Sequence, residues 1–506
     1  MNRSDQLKSL ATQKQWDIIV IGGGATGLGT ALDAALRGYT TLLIEGFDFA
    51  KGTSSRSTKL VHGGVRYLEQ GNIKLVREAL RERGNLLKNA PHLTSIQPFI
   101  VPVFSYWEKL FYGLGLIFYD LLSGKLTLGK TKILSKKETI SQLPSINSKN
   151  LVGGILYYDG QFDDSRLAIE LAATAIKKGA TVVNYCKATG FIKTNGKITG
   201  VECIDQLSQT KYSLFTKAVV NATGVFTNEV VQMDDHLKHH LVSPSQGIHL
   251  VIEASFFEGN NAMMIPKTED GRVLFAVPWQ GKVIVGTTDT PIEQISYEPK
   301  ALEEEISFII KHLNKYGTRV IQRSDINSVY VGLRPLIQQK RKGSTALISR
   351  EHHLSVAPSG LITITGGKWT TYRKMAADAV DNASFIAKLP KQKCISQNTP
   401  IGDEVEREKR INEIIKKEPS LIEAIHPNYA YTKADIVYAV QYEMAMCVED
   451  ILARRCRLLF LDAKIAIQVA PLVANIIAPY LQKDKIWEAT EVANFTTLAA
   501  QYIIKY

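Results

Sequence analysis

Three glycines near the start of the chain have the spacing of a diphosphate-binding turn. Gly22, Gly24 and Gly27 follow the apolar, β-branched run 17–21, which predicts a buried parallel strand. In a G-x-G-x-x-G turn the first glycine makes the bend, the second admits the diphosphate, and the third lets helix and strand pack closely. The following helix offers free N–H groups and a positive dipole to the anion. These residues predict a dinucleotide-binding site.

An acidic residue closes the same unit. Residues 41–44 form a second short apolar run, and Glu45 follows it directly. A carboxylate at the end of this strand can accept hydrogen bonds from both ribose hydroxyls. The order of strand, glycine turn, helix, strand and acid favours dinucleotide binding over a strand–turn–helix that merely contains glycines.

Two further glycine-rich segments could touch such a cofactor. Residues 52–67, GTSSRSTKLVHGGVRY, are dense in Gly, Ser and Thr with basic side chains between them. A polar, phosphorylated cofactor would be wrapped well by this stretch, although composition alone leaves a flexible surface loop as the alternative. The second run, GGKWTTYRKMA, occupies residues 366–376 after a β-branched strand at 361–365.

In these motifs the chain resembles the FAD-dependent glycerol-3-phosphate dehydrogenase family, within the glycine and D-amino-acid oxidase superfamily. IGGGATGLGTALDAALRG and GGKWTTYRKMA are similar to that family's N-terminal and C-terminal signatures. Between them SSRSTKLVHGGVRYLE, VVNATG, VPWQGKVIVGTTDT and VGLRPL occur in the family's order. The resemblance runs from about residue 15 to the C-terminus and is weakest at the end.

The resemblance implies an FAD cofactor. Gly366 and Gly367 would bring backbone N–H groups to the pyrimidine end of the flavin, where negative charge appears on reduction. The other residues expected at the cofactor are Gly22, Gly24, Gly27, Glu45, Thr53, Ser54, Ser55, Lys59, His62, Gly63, Gly64, Ala222, Thr223 and Gly224.

The implied activity is oxidation of sn-glycerol 3-phosphate to dihydroxyacetone phosphate, with electrons passing to a quinone. It needs a phosphate clamp, a base for the C2 hydroxyl and a path for the C2 hydride to flavin N5. Arg334, stiffened by Pro335, is the first clamp candidate, because a guanidinium matches phosphate oxygens. The resemblance places four further residues at the substrate: Arg66, Tyr67, Arg350 and Lys368.

The sequence leaves the catalytic base open. His249 resembles the family's substrate-side histidine, and the pKa of an imidazole, near neutrality, suits proton acceptance. A histidine in an apolar strand can equally be a core residue. A deprotonated Lys368 and a bound water are the other candidates.

Several other functions are compatible with this pattern. The same fold could serve an oxidase that uses oxygen, or an amine or amino-acid oxidase, although an amine would not need several cations. A flavin-bearing scaffold without activity is disfavoured by the intact motifs. The net charge of +12 would suit anionic lipid or nucleic acid, but the charges are dispersed and no nucleic-acid-binding motif is recognised.

Composition indicates a large globular enzyme. A chain of 506 residues predicts two or three domains. Five cysteines without a C-x-x-C pair, and no metal-ligand motif, argue against a disulfide framework or a metal site. The first residues lack the apolar core of a signal peptide, so we expect a cytoplasmic enzyme.

One aromatic segment bears on attachment to the inner face of the cytoplasmic membrane. Residues 106–122 mix Trp, Tyr, Phe and Leu with few charges. The segment is shorter than the roughly 20 apolar residues that a bilayer span needs. We expect a core helix here, with an interfacial anchor on a membrane surface as the alternative.

These motifs require an α/β fold with three domains. The expected Rossmann-like FAD-binding domain is discontinuous and comprises residues 12–104, 160–242 and 325–384. A β-rich substrate domain would comprise 105–159 and 243–324. A C-terminal α-helical domain, 398–506, is expected to contain a long helix at 432–459 that begins after Thr432. Its basic run 454–457 would serve docking, a homodimer or a lipid surface, unless it simply packs on the cofactor domain.

Overall fold

A computed structural model describes residues 1–69, 71–235, 241–269, 271–337 and 352–505, and at Arg66 and Glu69 it describes the backbone only. Predicted site residue Arg350 and the side chain of Arg66 therefore lie outside the described residues. In the described ranges the chain forms two sheets and a C-terminal group of helices, which confirms the predicted fold class.

The strands are β1 (Trp16–Ile21), β2 (Thr41–Ile44), β3 (Leu60–Val61), β4 (Thr94–Val103), β5 (Lys132–Ser135), β6 (Gly153–Phe162), β7 (Thr181–Val183), β8 (Cys186–Thr194), β9 (Lys197–Asp205), β10 (Lys211–Asn221), β11 (Val242–Glu253), β12 (Ala262–Ile265), β13 (Leu274–Trp279), β14 (Lys282–Gly286), β15 (Thr290–Pro291), β16 (Ile326–Ile337), β17 (His352–Val356) and β18 (Ile362–Gly366). The helices are α1 (Arg3–Thr12), α2 (Ala25–Leu36), α3 (Arg66–Glu69), α4 (Ile73–Asn89), α5 (Tyr106–Ser123), α6 (Lys136–Gln142), α7 (Asp164–Lys177), α8 (Thr227–Asp234), α9 (Glu303–Tyr316), α10 (Tyr372–Ile386), α11 (Glu404–Lys417), α12 (Lys433–Tyr442), α13 (Leu458–Leu461), α14 (Ala463–Ile477) and α15 (Lys485–Ala499).

The first sheet is parallel at its centre. β1 lies between β2 and β10, and the parallel series continues to β7 on one side and β18 on the other. The small residues of α2 let it pack closely on β1 and contact α7 and α10. The carboxyl ends of β1, β2, β10 and β18 consequently meet at one edge, which is where ligands bind in open α/β sheets.

The second sheet is mainly antiparallel and runs in the order β15-β11-β14-β13-β12-β4-β6-β3, with β16 beside β11. β3, β4 and β16 lie in ranges predicted for the FAD-binding domain, yet they pair in this sheet. These three strands thus connect the predicted cofactor segments to the second sheet, and the domain bounds stay a prediction.

The predicted long helix at 432–459 is wrong in its length. α12 begins after Thr432, whose hydroxyl caps it in a reciprocal pair with Asp435, but it ends at Tyr442. Met444 and Arg457 have φ angles of 56° and 58°, and a π-helical turn (Asp450–Arg455) lies between them. Because this segment is buried on all sides, its apolar residues show no break that would locate the interruptions.

The basic run 454–457 lies at a buried interface. Arg454 and Arg455 form ion pairs with Asp48, and Arg457 forms one with Asp164 at 3.1 Å. All three arginines are buried against the cofactor segments. Their expected role in docking or at a lipid surface is therefore wrong, and the alternative of packing against the cofactor domain holds.

Helix α5 is exposed, contrary to the prediction of a core helix. It buries only Gly113, Leu116, Tyr119 and Ser123. The prediction failed because apolar side chains lie on every face of the helix, whereas only one face packs against the rest of the protein. The exposed apolar side chains are Tyr106, Trp107, Leu110, Phe111, Leu114, Ile117, Phe118 and Leu121. Among the described residues, no helix has both the length and the apolar character needed to cross a bilayer.

Candidate active site

The first cavity lies at the carboxyl edge of the parallel sheet, where the glycine turn forms its wall. Gly22 has a φ of 112°, and a Cβ added there would lie 2.8 Å from the carbonyl oxygen of Ala222. A Cβ added at Gly27 would overlap the carbonyl oxygen of Gly22. Gly24 caps α2 and faces the cavity. The three glycines thus occupy the positions that a turn, a close approach and close packing require.

The turns after the neighbouring strands complete this wall. Ala222, Thr223 and Gly224 follow β10 and line the same cavity. Glu45 follows β2, and its carboxylate accepts hydrogen bonds from the N–H groups of Gly23 at 2.5 Å and Phe47 at 2.8 Å. Burial raises the pKa of the Glu45 carboxyl above its ordinary value.

A hydroxyl-bearing loop connects the glycine turn to the second signature. Ser54 Oγ accepts a hydrogen bond from Ala25 N–H at 2.9 Å, and its carbonyl accepts one from Trp369 Nε1 at 2.8 Å. Thr53 donates to the carbonyl of Leu333 at 2.6 Å. These contacts hold the loop against α2, β16 and the segment after β18.

A second cavity continues from the first. Six residues line both cavities: Thr53, Pro335, Gly366, Gly367, Lys368 and Trp369. The shared wall means that a long ligand can lie in the first cavity and reach the second. FAD has this form, with a dinucleotide backbone and a flavin at one end, so the residues present fit it.

Arg334 lies in the wall of the second cavity and is held there firmly. It donates to the carbonyl of Thr288 at 2.9 Å and to Thr287 Oγ1 at 3.0 Å. It also pairs with Asp289 at 3.2 Å. The fixed guanidinium makes this cavity suitable for an anionic group.

Two further cations line the same cavity. Lys368 Nζ lies 4.1 Å from the ring centroid of Tyr67, which places both predicted residues beside Gly64. Arg272, at the start of β13, also lines the cavity, and its guanidinium carbon lies 5.0 Å from the ring centroid of Phe308. Arg272 was not among the predicted site residues, because it stands outside the recognised motifs.

His249 lies in the floor of this cavity on β11. Its Nε2 is 2.8 Å from Thr58 Oγ1, and its ring stacks on Tyr330 with centroids 4.7 Å apart. Nδ1 is buried and has no hydrogen-bond partner among the described residues. Burial, followed by the positive charges of Lys59 and Arg334, holds the pKa of His249 well below its usual value.

Some predicted cofactor residues lie elsewhere. His62 and Gly64 line the second cavity, whereas Ser55, Lys59 and Gly63 lie outside both cavities. Lys59 is buried and pairs with Asp164 at 2.7 Å; burial lowers the pKa of its ammonium to about 7. Lys59 was expected at the cofactor because it lies in a polar loop, but its side chain is buried beneath that loop.

Comparison with known proteins agrees with this geometry. Residues 17–373 match the family model for FAD dependent oxidoreductases, and residues 363–488 match that for the C-terminal domain of alpha-glycerophosphate oxidase. The chain is 35% identical to the mitochondrial glycerol-3-phosphate dehydrogenase of Saccharomyces cerevisiae, over 98% of this chain and 91% of the relative. The human protein of that name is also 35% identical, over 96% of this chain and 73% of its own length.

A solved structure is similar along nearly the whole chain. The glycerol-3-phosphate dehydrogenase from Bacillus halodurans, complexed with FAD, superposes with a TM-score of 0.79 and 28% identity, and covers 99% of this chain and 98% of its own. The expected FAD cofactor is thereby confirmed. From the glycine turn, the first and second cavities and these similarities, we conclude that the chain belongs to the FAD-dependent glycerol-3-phosphate dehydrogenase family.

Proposed function

We propose that the chain oxidises sn-glycerol 3-phosphate at C2 to dihydroxyacetone phosphate. The observation that supports this most is the cationic wall of the second cavity, formed by Arg334, Arg272 and Lys368 next to Gly366 and Gly367. A dianionic phosphate monoester suits a wall of several cations, whereas an amine or a neutral polyol does not need one. FAD, when bound, supplies a two-electron acceptor for the hydride from C2.

Arg334 is the residue best placed to hold the phosphate. Its contacts with Thr287, Thr288 and Asp289 fix the guanidinium before substrate arrives, so little conformational entropy is lost on binding. Lys368 and Tyr67 lie against the shared wall and would orient the glycerol part. Arg66 and Arg350 stay in the proposal from the motifs alone.

His249 is our candidate for the base. With its proton on Nε2 the ring donates to Thr58, and the Nδ1 lone pair stays without a partner among the described residues. The depressed pKa keeps the imidazole neutral at physiological pH, which is the state that can accept the C2 hydroxyl proton. Lys368 is the second candidate, because the contact of its Nζ with the Tyr67 ring favours the charged ammonium, which cannot accept a proton.

In a plot of kcat/KM against pH, the fall on the acid side should occur at unusually low pH. Because the pKa of His249 lies below 6.5, kcat/KM should stay high as pH falls past that value and drop only at lower pH. His249→Gln should lower kcat/KM by roughly 10²–10⁴-fold and remove this fall. Any fall left in the variant belongs to the substrate phosphate, and an unchanged profile in the variant would exclude His249 as the base.

Anaerobic flavin bleaching tests the proposed function directly. Purified, FAD-loaded protein is mixed with glycerol 3-phosphate, glycerol or an amino acid, and absorbance near the visible flavin maximum is followed. We expect rapid bleaching by glycerol 3-phosphate only. Glycerol is the matched control, since it lacks the phosphate but carries the same C2 hydroxyl. Bleaching by the amino acid and not by the phosphate ester would contradict the proposal.

We propose further that α5 rests on a membrane and that a quinone in the lipid accepts the electrons. Trp107 and Leu121, at opposite ends of the helix, are each 72% exposed. Exposed basic side chains lie on segments that contact α5: Lys74, Arg77, Lys125 and Lys132. An apolar helix with a basic rim is typical of proteins that bind anionic membrane surfaces. Tyr119 of the same helix accepts a hydrogen bond from Gly63 N–H at 2.7 Å, so the helix adjoins the turn beside the second cavity.

Vesicle sedimentation tests this arrangement. The double variant Leu110→Glu with Leu114→Glu should weaken binding to phosphatidylglycerol vesicles by more than about tenfold. Burial of each leucine side chain in lipid contributes roughly 1.5–3 kcal/mol to the free energy of binding. The matched control is Val405→Glu with Ile486→Glu, two residues on α11 and α15 that are each 77% exposed. Equal binding by both double variants would exclude α5 as the docking face.

The acceptor is measured in the same preparation. Turnover on vesicles that contain a quinone should exceed oxygen consumption without it. Faster hydrogen peroxide formation than quinone reduction would instead identify an oxidase.

A further inference from the structure

The C-terminal helical domain reaches the back of the His249 ring through a series of aromatic side chains. The His249 and Tyr330 rings stack with an interplanar angle of 15°. Phe460, on α13, meets Tyr330 edge-on at 5.0 Å and 80°. Tyr502 in turn meets Phe460 at 5.6 Å and 85°. All four side chains are buried, so nothing but protein fixes the plane of the imidazole.

Strand pairing and hydrogen bonds also hold β11, β16 and α13 together. His249 on β11 is the direct register partner of Tyr330 on β16. The Tyr330 hydroxyl donates to the carbonyl of Ser57 at 3.0 Å, next to Thr58, which contacts His249. Ser328, also on β16, donates to the carbonyl of Leu459 at 2.9 Å, which joins the strand to α13.

A buried ion cluster ties the helical domain to the loop that carries Thr58. Asp164 accepts from Lys59 Nζ at 2.7 Å and from Ser57 Oγ at 2.7 Å, and Arg457 approaches it to 3.1 Å. Arg457 also donates to the carbonyl of Ser55 at 2.7 Å. The loop 55–59 is therefore positioned from the C-terminal side of the molecule.

We propose that Phe460 and Tyr330 are positioning residues for His249, and that the helical domain thereby completes the active site. The stack holds the imidazole in the orientation in which Nε2 contacts Thr58 and Nδ1 keeps a lone pair without a partner among the described residues. This inference rests on the proposed role of His249. It assigns a share in the chemistry to a domain of which no described residue lines the first or the second cavity.

Two substitutions of equal size separate positioning from stability. Phe460 and Phe495 are both 2% exposed in the same apolar cluster, but Phe495 has no ring contact with the stack among the described residues. Phe460→Leu should lower the limiting rate of flavin reduction by glycerol 3-phosphate about 10- to 100-fold, because a misplaced base loses rate steeply with distance. The Kd for glycerol 3-phosphate should change by less than about twofold.

Phe495→Leu should lose a similar amount of thermal stability and keep the wild-type rate. Equal losses of rate in the two variants would show that the rate depends only on packing of the apolar cluster, and this result would overturn the inference. Tyr330 gives a second pair: Tyr330→Phe keeps the ring and should keep most of the rate, whereas Tyr330→Leu should lose it as Phe460→Leu does. A Tyr330→Leu variant with the wild-type rate would also contradict the inference.

A spectroscopic measurement is independent of turnover. In holoenzyme labelled with ¹⁵N-histidine, the His249 ring signals are assigned by their loss in His249→Gln. We expect Phe460→Leu to shift or broaden them and Phe495→Leu to leave them in place. Unmoved signals in Phe460→Leu would disprove the positioning role. If glycerol 3-phosphate fails to bleach wild-type flavin, the proposed function fails, and the ring signals still decide whether the helical domain orients His249.

Discussion

Gly24→Val should give folded protein that contains no FAD. Gly24 faces the first cavity with a φ of −85°, so a valine needs no left-handed backbone, and its Cβ would lie 3.0 Å from Ser54 Oγ, which has to move slightly. Its side chain would occupy the space where the diphosphate must approach the helix N-terminus. Gly27 is unsuitable for this test, because an added Cβ there overlaps Gly22 and would disrupt folding as well. The flavin-to-protein absorbance ratio of the purified variant gives the answer.

Gly115→Val is the control for this experiment. Gly115 lies in α5, and an added Cβ meets no atom within 4 Å. This variant should be yellow and should unfold close to the wild-type temperature. A Gly24→Val protein with full flavin content would show that the turn 22–27 does not hold the diphosphate.

Arg334→Met should lower kcat/KM for glycerol 3-phosphate by roughly tenfold to a few thousandfold. Loss of one partly buried, charge-assisted contact costs about 2–5 kcal/mol. The side chain is 18% exposed, and its partner Asp289 would also lose a cation, so some loss of stability is expected. Flavin content should stay near normal, since Arg334 lines only the second cavity. Steady-state kinetics and the flavin spectrum together test this.

Arg319 provides the comparison, because it is an exposed arginine that pairs with Glu258 at 3.2 Å and is not among the residues that line the two cavities. Arg319→Met should leave kcat/KM unchanged, as surface ion pairs contribute little. If Arg334→Met behaved as Arg319→Met does, the phosphate would have to be held by other cations, of which Arg272 and Lys368 line the same cavity.

The sequence predicted the elements with strong local signals. The strand at 41–44 and the helix cap at Thr432 agree with the structure to the residue, because a short apolar run and a capping box are local features. The parallel sheet follows from the glycine turn and the carboxylate at Glu45. The sheet to which β4 and β16 belong was harder to predict. Apolar strands such as these fit either sheet, and only their long-range pairing decides between the two.

The candidate site shows the same division. Arg334, Lys368, Tyr67 and His249, expected from their motifs, lie together around the second cavity. Lys59 was placed at the cofactor from its polar neighbours, but its partner Asp164 is about a hundred residues away and could not be seen from the loop. The stack behind His249 was equally hidden, because Phe460 comes from the segment whose resemblance was weakest.

The buried pairing of Asp48 with Arg454 has a consequence for the synthesis of the chain. The two residues are 406 positions apart. At about 5–20 residues per second, Asp48 leaves the ribosome roughly 20–80 s before its partner exists. Removing one partner of a buried ion pair costs about 3–5 kcal/mol. We therefore expect the cofactor-binding segments to lack their final packing during that interval. We expect the nascent chain to need chaperone protection until the segment that carries Arg454 has emerged from the ribosome.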